Sequence, residues 1–218
     1  MTDARLPLPV VVLISGDGSN LQAIIDAQQR GELPIAIRAV ISNRADAFGL
    51  ARARRVGIAT AVMDHTQFTS RAEFDHALQV AIDATGAQLI ILAGFMRILT
   101  PDFVRHYLGR MLNIHPSLLP KHRGLRTHAG ALSAGDAQHG ASVHFVTAEL
   151  DGGPLIAQVR VPVLAHDTET TLAERVRERE HIIYPLVIGW FAAGRLRLEN
   201  DHAVLDHQIL KAPILINS

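Results

Sequence analysis

The sequence predicts a doubly wound α/β fold, with a mostly parallel sheet, helices on both faces of it and an antiparallel C-terminal extension. In the first half of the chain, five short apolar runs alternate with four helical stretches. The first run, residues 10–14, reads Val-Val-Val-Leu-Ile, which is the unbroken apolar pattern of a strand covered on both faces. After residue 115 the pattern changes to two alternating strands, which indicate the antiparallel part.

The alternating pattern assigns the elements of the parallel part in order. The expected strands are residues 10–14, 35–41, 59–63, 89–92 and 111–114. The expected helices between them are residues 21–29, 47–56, 71–85 and 101–106. Because strand–helix–strand units cross over with a right-handed sense, four such units in succession predict neighbouring parallel strands.

The second half is expected to cover the edge of this sheet. A short helix at residues 128–133 precedes strands at 141–147 and 155–163, which flank an Asp-Gly-Gly-Pro turn at 151–154. A long amphipathic helix, residues 170–193, stops at Gly194, a natural C-terminal cap. The apolar residues that this helix turns inward are expected to be Leu172, Val176, Ile183 and Leu186. The tail, residues 199–218, is not assigned to an element.

The composition indicates one globular domain over residues 1–218 and excludes several classes of function. Lys and Arg total 21, as do Asp and Glu, so no overall positive charge is available to hold a nucleic acid or an acidic membrane surface. Cysteine is absent, which excludes disulfides, thiolate nucleophiles and cysteine-bound zinc. No apolar run approaches the roughly 20 residues of a membrane-spanning helix, and we expect a cytoplasmic protein. No spacing of His and carboxylate matches a helical zinc site, so no metal is expected.

A glycine loop, Ser-Gly-Asp-Gly-Ser-Asn at residues 15–20, lies between the first strand and the first helix. In a parallel sheet, backbone N–H groups and the helix dipole at this point can hold a phosphate. The loop is not a dinucleotide fingerprint, since Leu21 occupies the third glycine position, and no Gly-Lys-Ser/Thr follows to make a Walker loop. Alternatively, Ser19 and Gln22 form a capping box and the glycines only permit the turn.

The fifth strand ends in Asn-Ile-His-Pro-Ser-Leu-Leu-Pro at residues 113–120. Asn113 and His115 alternate onto one face, and ligands of open parallel sheets bind beyond the carboxyl ends of the strands. If an amine attacks an acyl carbon there, Asn113 can donate to the developing oxyanion, and His115 can supply a proton. A carboxylate beside the imidazole would favour its charged form, and Asp151 is the best candidate. His144 is either a core residue or a support for this site.

Four segments together resemble the folate-dependent glycinamide ribonucleotide formyltransferases of purine biosynthesis. The segments are Gly-Asp-Gly-Ser-Asn at 16–20, Ala-Gly-Phe-Met-Arg-Ile-Leu at 93–99, the run at 113–120 and the turn at 151–154. The resemblance spans about residues 10–198. It implies the formyltransferase-type fold, with a phosphate-binding half at about residues 8–107 and a folate and catalytic half at about residues 108–198.

The resemblance also implies an activity and its residues. The formyl group of the co-substrate 10-formyltetrahydrofolate would pass to the amine of glycinamide ribonucleotide, giving formylglycinamide ribonucleotide and tetrahydrofolate, without a metal. The catalytic residues would be Asn113, His115 and Asp151. The ribonucleotide would contact Gly18, Ser19, Asn20 and Glu180. The folate would contact Arg71, Met96, Arg97, Ile98, Leu99, Asn113, Thr147 and Asp151.

The sequence departs from the family at two places. Where the family has a Tyr-Pro-Gly-Leu-His-Thr-His loop, residues 122–128 read His-Arg-Gly-Leu-Arg-Thr-His, so Arg126 replaces a histidine. Asp17 stands where asparagine is usual, and its carboxylate would repel a phosphate unless it faces solvent.

Three alternatives stay open at this level. The protein could hydrolyse 10-formyltetrahydrofolate, formylate another amine, or bind folate or nucleotide without catalysis, since fold does not determine function. The partners expected are the two small-molecule substrates, with no nucleic acid and no membrane. The chain itself is expected to be a monomer or a weak homodimer.

Overall fold

The computed structural model describes residues 6–217, so residues 1–5 and 218 of the expected domain lie outside it. Six α-helices are present in the described chain, and they are α1 (Ser19–Gln29), α2 (Phe48–Arg55), α3 (Arg71–Asp83), α4 (Pro101–His106), α5 (Thr127–Ser133) and α6 (Glu169–Ala192). The strands of the first half are β1 (Leu8–Ile14), β2 (Ile35–Ser42), β3 (Thr60–Val62), β4 (Leu89–Leu92) and β5 (Met111–His115). Those of the second half are β6 (Gln138–Phe145), β7 (Leu155–Pro162), β8 (Leu196–Glu199), β9 (His202–Leu205), β10 (Gln208–Ile209) and β11 (Ile214–Ile216).

The main sheet has eight strands in the order β11-β7-β6-β5-β4-β1-β2-β3. The five strands of the first half pair in parallel, and β6 is antiparallel to both β5 and β7. The predicted mostly parallel, doubly wound sheet is thereby confirmed. Residues 196–209 form a separate antiparallel sheet, β10-β9-β8, and the unassigned tail then returns to place β11 beside β7.

The central strand β1 is buried on both faces because its side chains alternate between two cores. Val10, Val12 and Ile14 pack with apolar residues of α1, α2 and α6. Val11 and Leu13 pack on the opposite face with residues of α3 and α4. The apolar run of the sequence therefore forms a strand between two layers of helices, as predicted.

The long helix α6 lies under the carboxyl ends of the central strands. Its Tyr184 is fully buried, and its hydroxyl oxygen lies 2.8 Å from the carbonyl oxygen of Leu92 and 2.9 Å from that of Leu112. The expected inward position of Leu186 is wrong, since this residue is 39% exposed. The buried stripe continues instead through Val187, four residues after Ile183, and Leu186 falls beside it.

Within residues 6–217, no helix is both long enough and apolar enough to cross a membrane.

Candidate active site

The carboxyl end of β5 and the neighbouring strand β6 together place the polar residues of the site. Asn113 pairs with His144 across the antiparallel ladder, and His115 pairs with Ser142. Asn113 and His115 are two residues apart on one strand, so they face the same side of the sheet. The pairing of β6 with β7 shifts register between Val143 and His144, an irregularity of the kind that re-aims a side chain.

The His115 imidazole and the Asp151 carboxylate meet, as expected from the sequence. Nδ1 of His115 lies 3.5 Å from Oδ2 of Asp151, and the two side chains are only 7% and 8% exposed. Nε2 of His115 lies 2.9 Å from the carbonyl oxygen of His122. Both ring nitrogens of His115 therefore face oxygen atoms.

His144 joins Asn113 to this pair. Its Nδ1 donates to the carbonyl oxygen of Phe145 over 2.8 Å, which leaves Nε2 to accept from the Asn113 amide at 3.1 Å. Oδ1 of Asp151 lies 3.8 Å from the same Nε2. Burial lowers the pKa of His144, which favours the neutral ring that can accept. His144 is thus both a buried residue and a neighbour of the site, although the sequence could not decide between the two.

A cleft of about 100 Å³ opens beside these residues. Among its lining side chains are six of the predicted folate contacts, namely Arg97, Ile98, Leu99, Asn113, Thr147 and Asp151. Arg71, at the start of α3, and Met96, 65% exposed, are not among them. His115 is not among the lining residues, but it lies 3.5 Å from Asp151, which is.

The walls of the cleft are partly apolar. Leu92, Phe95, Val104 and Leu150 contribute to them. Nε of Arg97 is buried there without a hydrogen-bond partner in the described chain. A flat heterocycle with a polar edge fits such a cleft, since its faces can pack on apolar groups while one donor fixes its orientation.

The glycine loop is shaped by close packing and not by a capping box. Gly18 is the N-cap of α1 with φ 75°, and no side chain caps the helix, so the Ser19 capping box is wrong. A Cβ at Gly18 would lie 2.7 Å from the Cα of Gly49 at the start of α2, so only glycine fits. The first N–H groups of α1 have no partner within the helix and face the end of the loop. The contact of this loop with a phosphate stays a prediction.

Asn20 connects this loop to α6. Its Nδ2 donates to Oε2 of Glu180 over 2.9 Å, and Glu180 is 8% exposed. Burial raises the pKa of Glu180 to about 7, although the hydrogen bond from Asn20 opposes the shift. Oδ1 of Asn20 is buried and has no partner within residues 6–217. Three of the four predicted ribonucleotide contacts thus share one short stretch at the start of α1, and the fourth reaches it from α6.

The two departures from the family differ in their surroundings. Asp17 faces solvent, with its side chain 64% exposed, and both its carboxylate oxygens lie 3.1 Å from Nη2 of Arg52. The repulsion of a phosphate expected from Asp17 is therefore partly offset by a neighbouring cation. Arg126 is exposed and precedes α5 with φ 59°.

A family model described as "Formyl transferase" matches residues 8–188. The chain belongs to the formyl transferase family. Among curated formyl transferases, it is 58% identical to the phosphoribosylglycinamide formyltransferase of Escherichia coli strain K12, over 92% of this chain and 95% of that protein. The protein of the same name from Haemophilus influenzae is 49% identical over the same shares.

Solved structures of formyl transferases share the whole architecture. The phosphoribosylglycinamide formyltransferase of Coxiella burnetii matches with a TM-score of 0.93 at 57% identity, covering 97% of this chain and 100% of that one. The glycinamide ribonucleotide transformylase 1 of Symbiobacterium toebii matches with a TM-score of 0.90 at 44% identity, over 94% of this chain and 97% of that one. In the part of this formyl transferase that the structure describes, no group of three or more His, Cys, Asp or Glu residues could hold a metal ion.

Two features of this formyl transferase site were missed by sequence reasoning. The acceptor role of His144 depends on the ladder register between β5 and β6, which a single sequence does not give. The pairing of Arg52 with Asp17 joins residues 35 apart in sequence on different elements. The only available signal was that His144 alternates inward on an expected strand.

Proposed function

We propose that this protein transfers the formyl group of 10-formyltetrahydrofolate to the amine of glycinamide ribonucleotide, giving formylglycinamide ribonucleotide and tetrahydrofolate in purine biosynthesis. The observation that carries the proposal is the meeting of His115, Asp151 and, through His144, Asn113 at the end of the cleft. Relatives at 58% and 49% identity with the name phosphoribosylglycinamide formyltransferase support the same substrate.

The cleft beside Asn113 is the proposed folate site. When bound, 10-formyltetrahydrofolate supplies the one-carbon unit that is transferred. The apolar walls and the unpartnered Nε of Arg97 suit its ring system. Ile98, Leu99 and Thr147 line the same cleft, whereas the roles of Arg71 and Met96 stay predictions.

Asn113 and His115 have different proposed tasks. With one amide hydrogen of Asn113 committed to His144, the second is free to stabilise negative charge that develops on the formyl oxygen. In the proposed reaction, His115 takes a proton from the attacking amine and gives one to that charge, while the Asp151 carboxylate, with Oδ2 3.5 Å from Nδ1, stabilises the protonated ring. Because the two side chains are buried, their interaction is weakly screened by solvent.

The loop before α1 is the proposed site of the ribonucleotide phosphate. The free N–H groups of Ser19 and Asn20, at the positive end of the helix dipole, suit an anion. Glu180 lies 2.9 Å from Asn20 and can accept from an amine or a ribose hydroxyl.

The test is formyl transfer with purified protein, followed at the absorbance of the folate product. Wild type is expected to turn over only when glycinamide ribonucleotide is present. His115→Ala and Asp151→Asn should each lower kcat by about 10²–10⁴, the usual loss for an acid or base group. His76→Ala, which removes an exposed histidine of α3, is the matched control and should be normal.

The alternatives give other results in the same assay. Equal folate turnover without the ribonucleotide would indicate a hydrolase, and turnover only with a different amine would change the acceptor. Tight folate binding by calorimetry without any transfer would support a binding module. A cytoplasmic location, a monomer or weak homodimer, and a single domain over residues 1–218 stay predictions that accompany the proposal.

A further inference from the structure

The backbone of the loop between β5 and α5 forms hydrogen bonds with both members of the His115–Asp151 pair. The carbonyl oxygen of His122 accepts from Nε2 of His115 at 2.9 Å. Two residues later, the N–H of Gly124 donates to Oδ2 of Asp151 over 2.9 Å. The backbone of this loop therefore sets the direction in which each side chain faces the other.

The backbone at His122 adopts an uncommon conformation that its side chain holds in place. Its φ of 53° is in the left-handed region, which few residues other than glycine adopt. Nε2 of the ring donates to Oδ2 of Asp136 over 2.7 Å. The ring also meets that of His139 edge to face at 6.0 Å, and a Cβ at Gly130 would lie 2.9 Å from Nδ1 of His122. The small residue at 130 therefore leaves the space that the ring fills.

Asp136 anchors this ring to the turn after α5. Its side chain is 12% exposed, and its other oxygen lies 2.7 Å from Nζ of Lys121. Hydrogen bonds from His122 and Lys121 hold the pKa of Asp136 below its usual range, so the anchor is a carboxylate. The backbone N–H of Asp136 donates to the carbonyl oxygen of Ala131, which fixes the anchor to the helix.

We propose that Asp136 is a positioning residue for the formyl transfer, which acts through His122 to fix the carbonyl oxygen that orients His115. Two hydrogen bonds connect these residues: the Asp136 carboxylate accepts from the His122 ring, and the His122 carbonyl oxygen accepts from Nε2 of His115. This inference rests on the proposed function, because it concerns the same proton-carrying pair.

The experiment compares Asp136→Ala, Asp136→Asn and Lys121→Met with wild type. Asp136→Ala should lower kcat by up to about 100-fold, as for a catalytic group displaced by about 1 Å, with little change in either KM. Asp136→Asn keeps an oxygen acceptor for His122 and should recover most of this loss. Lys121→Met removes the other partner of Asp136 and should be normal, since Lys121 is exposed and does not contact His115.

The second readout is the ¹⁵N NMR signal of the His115 ring, assigned by its loss in His115→Ala. It should move in Asp136→Ala and stay unchanged in Lys121→Met. If Asp136→Ala does not fold, His122→Phe, which keeps the ring shape but loses Nε2, takes its place. An unmoved His115 signal, or an equal loss of kcat in Lys121→Met, would overturn the proposal. Because the NMR signal needs no turnover, a wild type without transfer activity refutes the proposed function and leaves this inference testable.

Discussion

Nε2 of His144 accepts a hydrogen bond from the side-chain amide of Asn113 over 3.1 Å, and thereby determines which end of that amide faces the cleft. We predict that His144→Leu lowers kcat by up to about 10²–10³, the loss for removing an oxyanion donor, because the Asn113 amide can then rotate. KM for both substrates should change little. Steady-state kinetics check this, and His144→Gln, which retains an acceptor, should lose less. Equal kcat in all three proteins would contradict the role.

We predict that Glu180 makes ribonucleotide binding depend on pH. Its pKa is raised to about 7, chiefly by burial, so it passes from neutral to charged between about pH 6 and pH 8. The charged form accepts more strongly from an amine or a hydroxyl. The KM for glycinamide ribonucleotide should therefore fall as pH rises through this range, and Glu180→Gln should show a flat, higher KM. Glu178→Gln on the exposed side of α6 is the control.

The same shift gives a stability readout for Glu180. Between its ordinary pKa of 4.5 and about 7, the folded state holds a proton that the unfolded state has released. Folding is therefore favoured most at low pH, and this contribution is lost as pH rises towards 7. Glu180→Gln does not ionise, so its free energy of unfolding should fall less than that of wild type between pH 5 and pH 8. Denaturant titrations at the two pH values measure the difference.

The sequence could predict the parts of the fold and site that depend on local pattern. The apolar run of β1 and the alternation at Asn113 and His115 can be predicted from the sequence, because residue types indicate which positions are buried and which alternate along a strand. Strands β8 to β11 are two to four residues long, which is too short to show the alternating pattern of a strand. Their assignment depends on pairing partners far away in sequence.

Other parts of the site arise only from tertiary contacts. The bond between His144 and Asn113 needs the ladder register, and that between Asp136 and His122 needs the packing of α5. Local sequence preference allows a capping box at Ser19, but the N-cap of α1 is Gly18, which packs closely against Gly49. At this loop the packing of α1 against α2 determines the backbone conformation more than local sequence preference does, as is common at functional loops.

His139 makes the protein sensitive to acid. Burial and the neighbouring His128 and His122 lower its pKa from 6.5 to about 4, so the folded state resists a proton that the unfolded state takes up. The stabilising contribution is complete above pH 6.5 and is lost as pH falls towards 4, by roughly 3 kcal/mol in total. Denaturant titrations should show a shallower pH slope for His139→Gln than for wild type. His202→Gln, an exposed position, should keep the wild-type slope.

We predict that Asp17 weakens the binding of the ribonucleotide phosphate. Its carboxylate is exposed beside the N-terminus of α1 and is paired with Arg52, whose side chain is 21% exposed. We predict that Asp17→Asn lowers the KM for glycinamide ribonucleotide about fivefold, which corresponds to ~1 kcal/mol for charges near a protein surface, and leaves the KM for the folate unchanged. The effect should shrink in high salt, since exposed charges are screened. Asp46→Asn, which removes a carboxylate paired with Arg44 outside the loop, is the matched control and should change neither KM. If both variants behave alike, the effect of Asp17 reflects overall charge and not its place beside the phosphate.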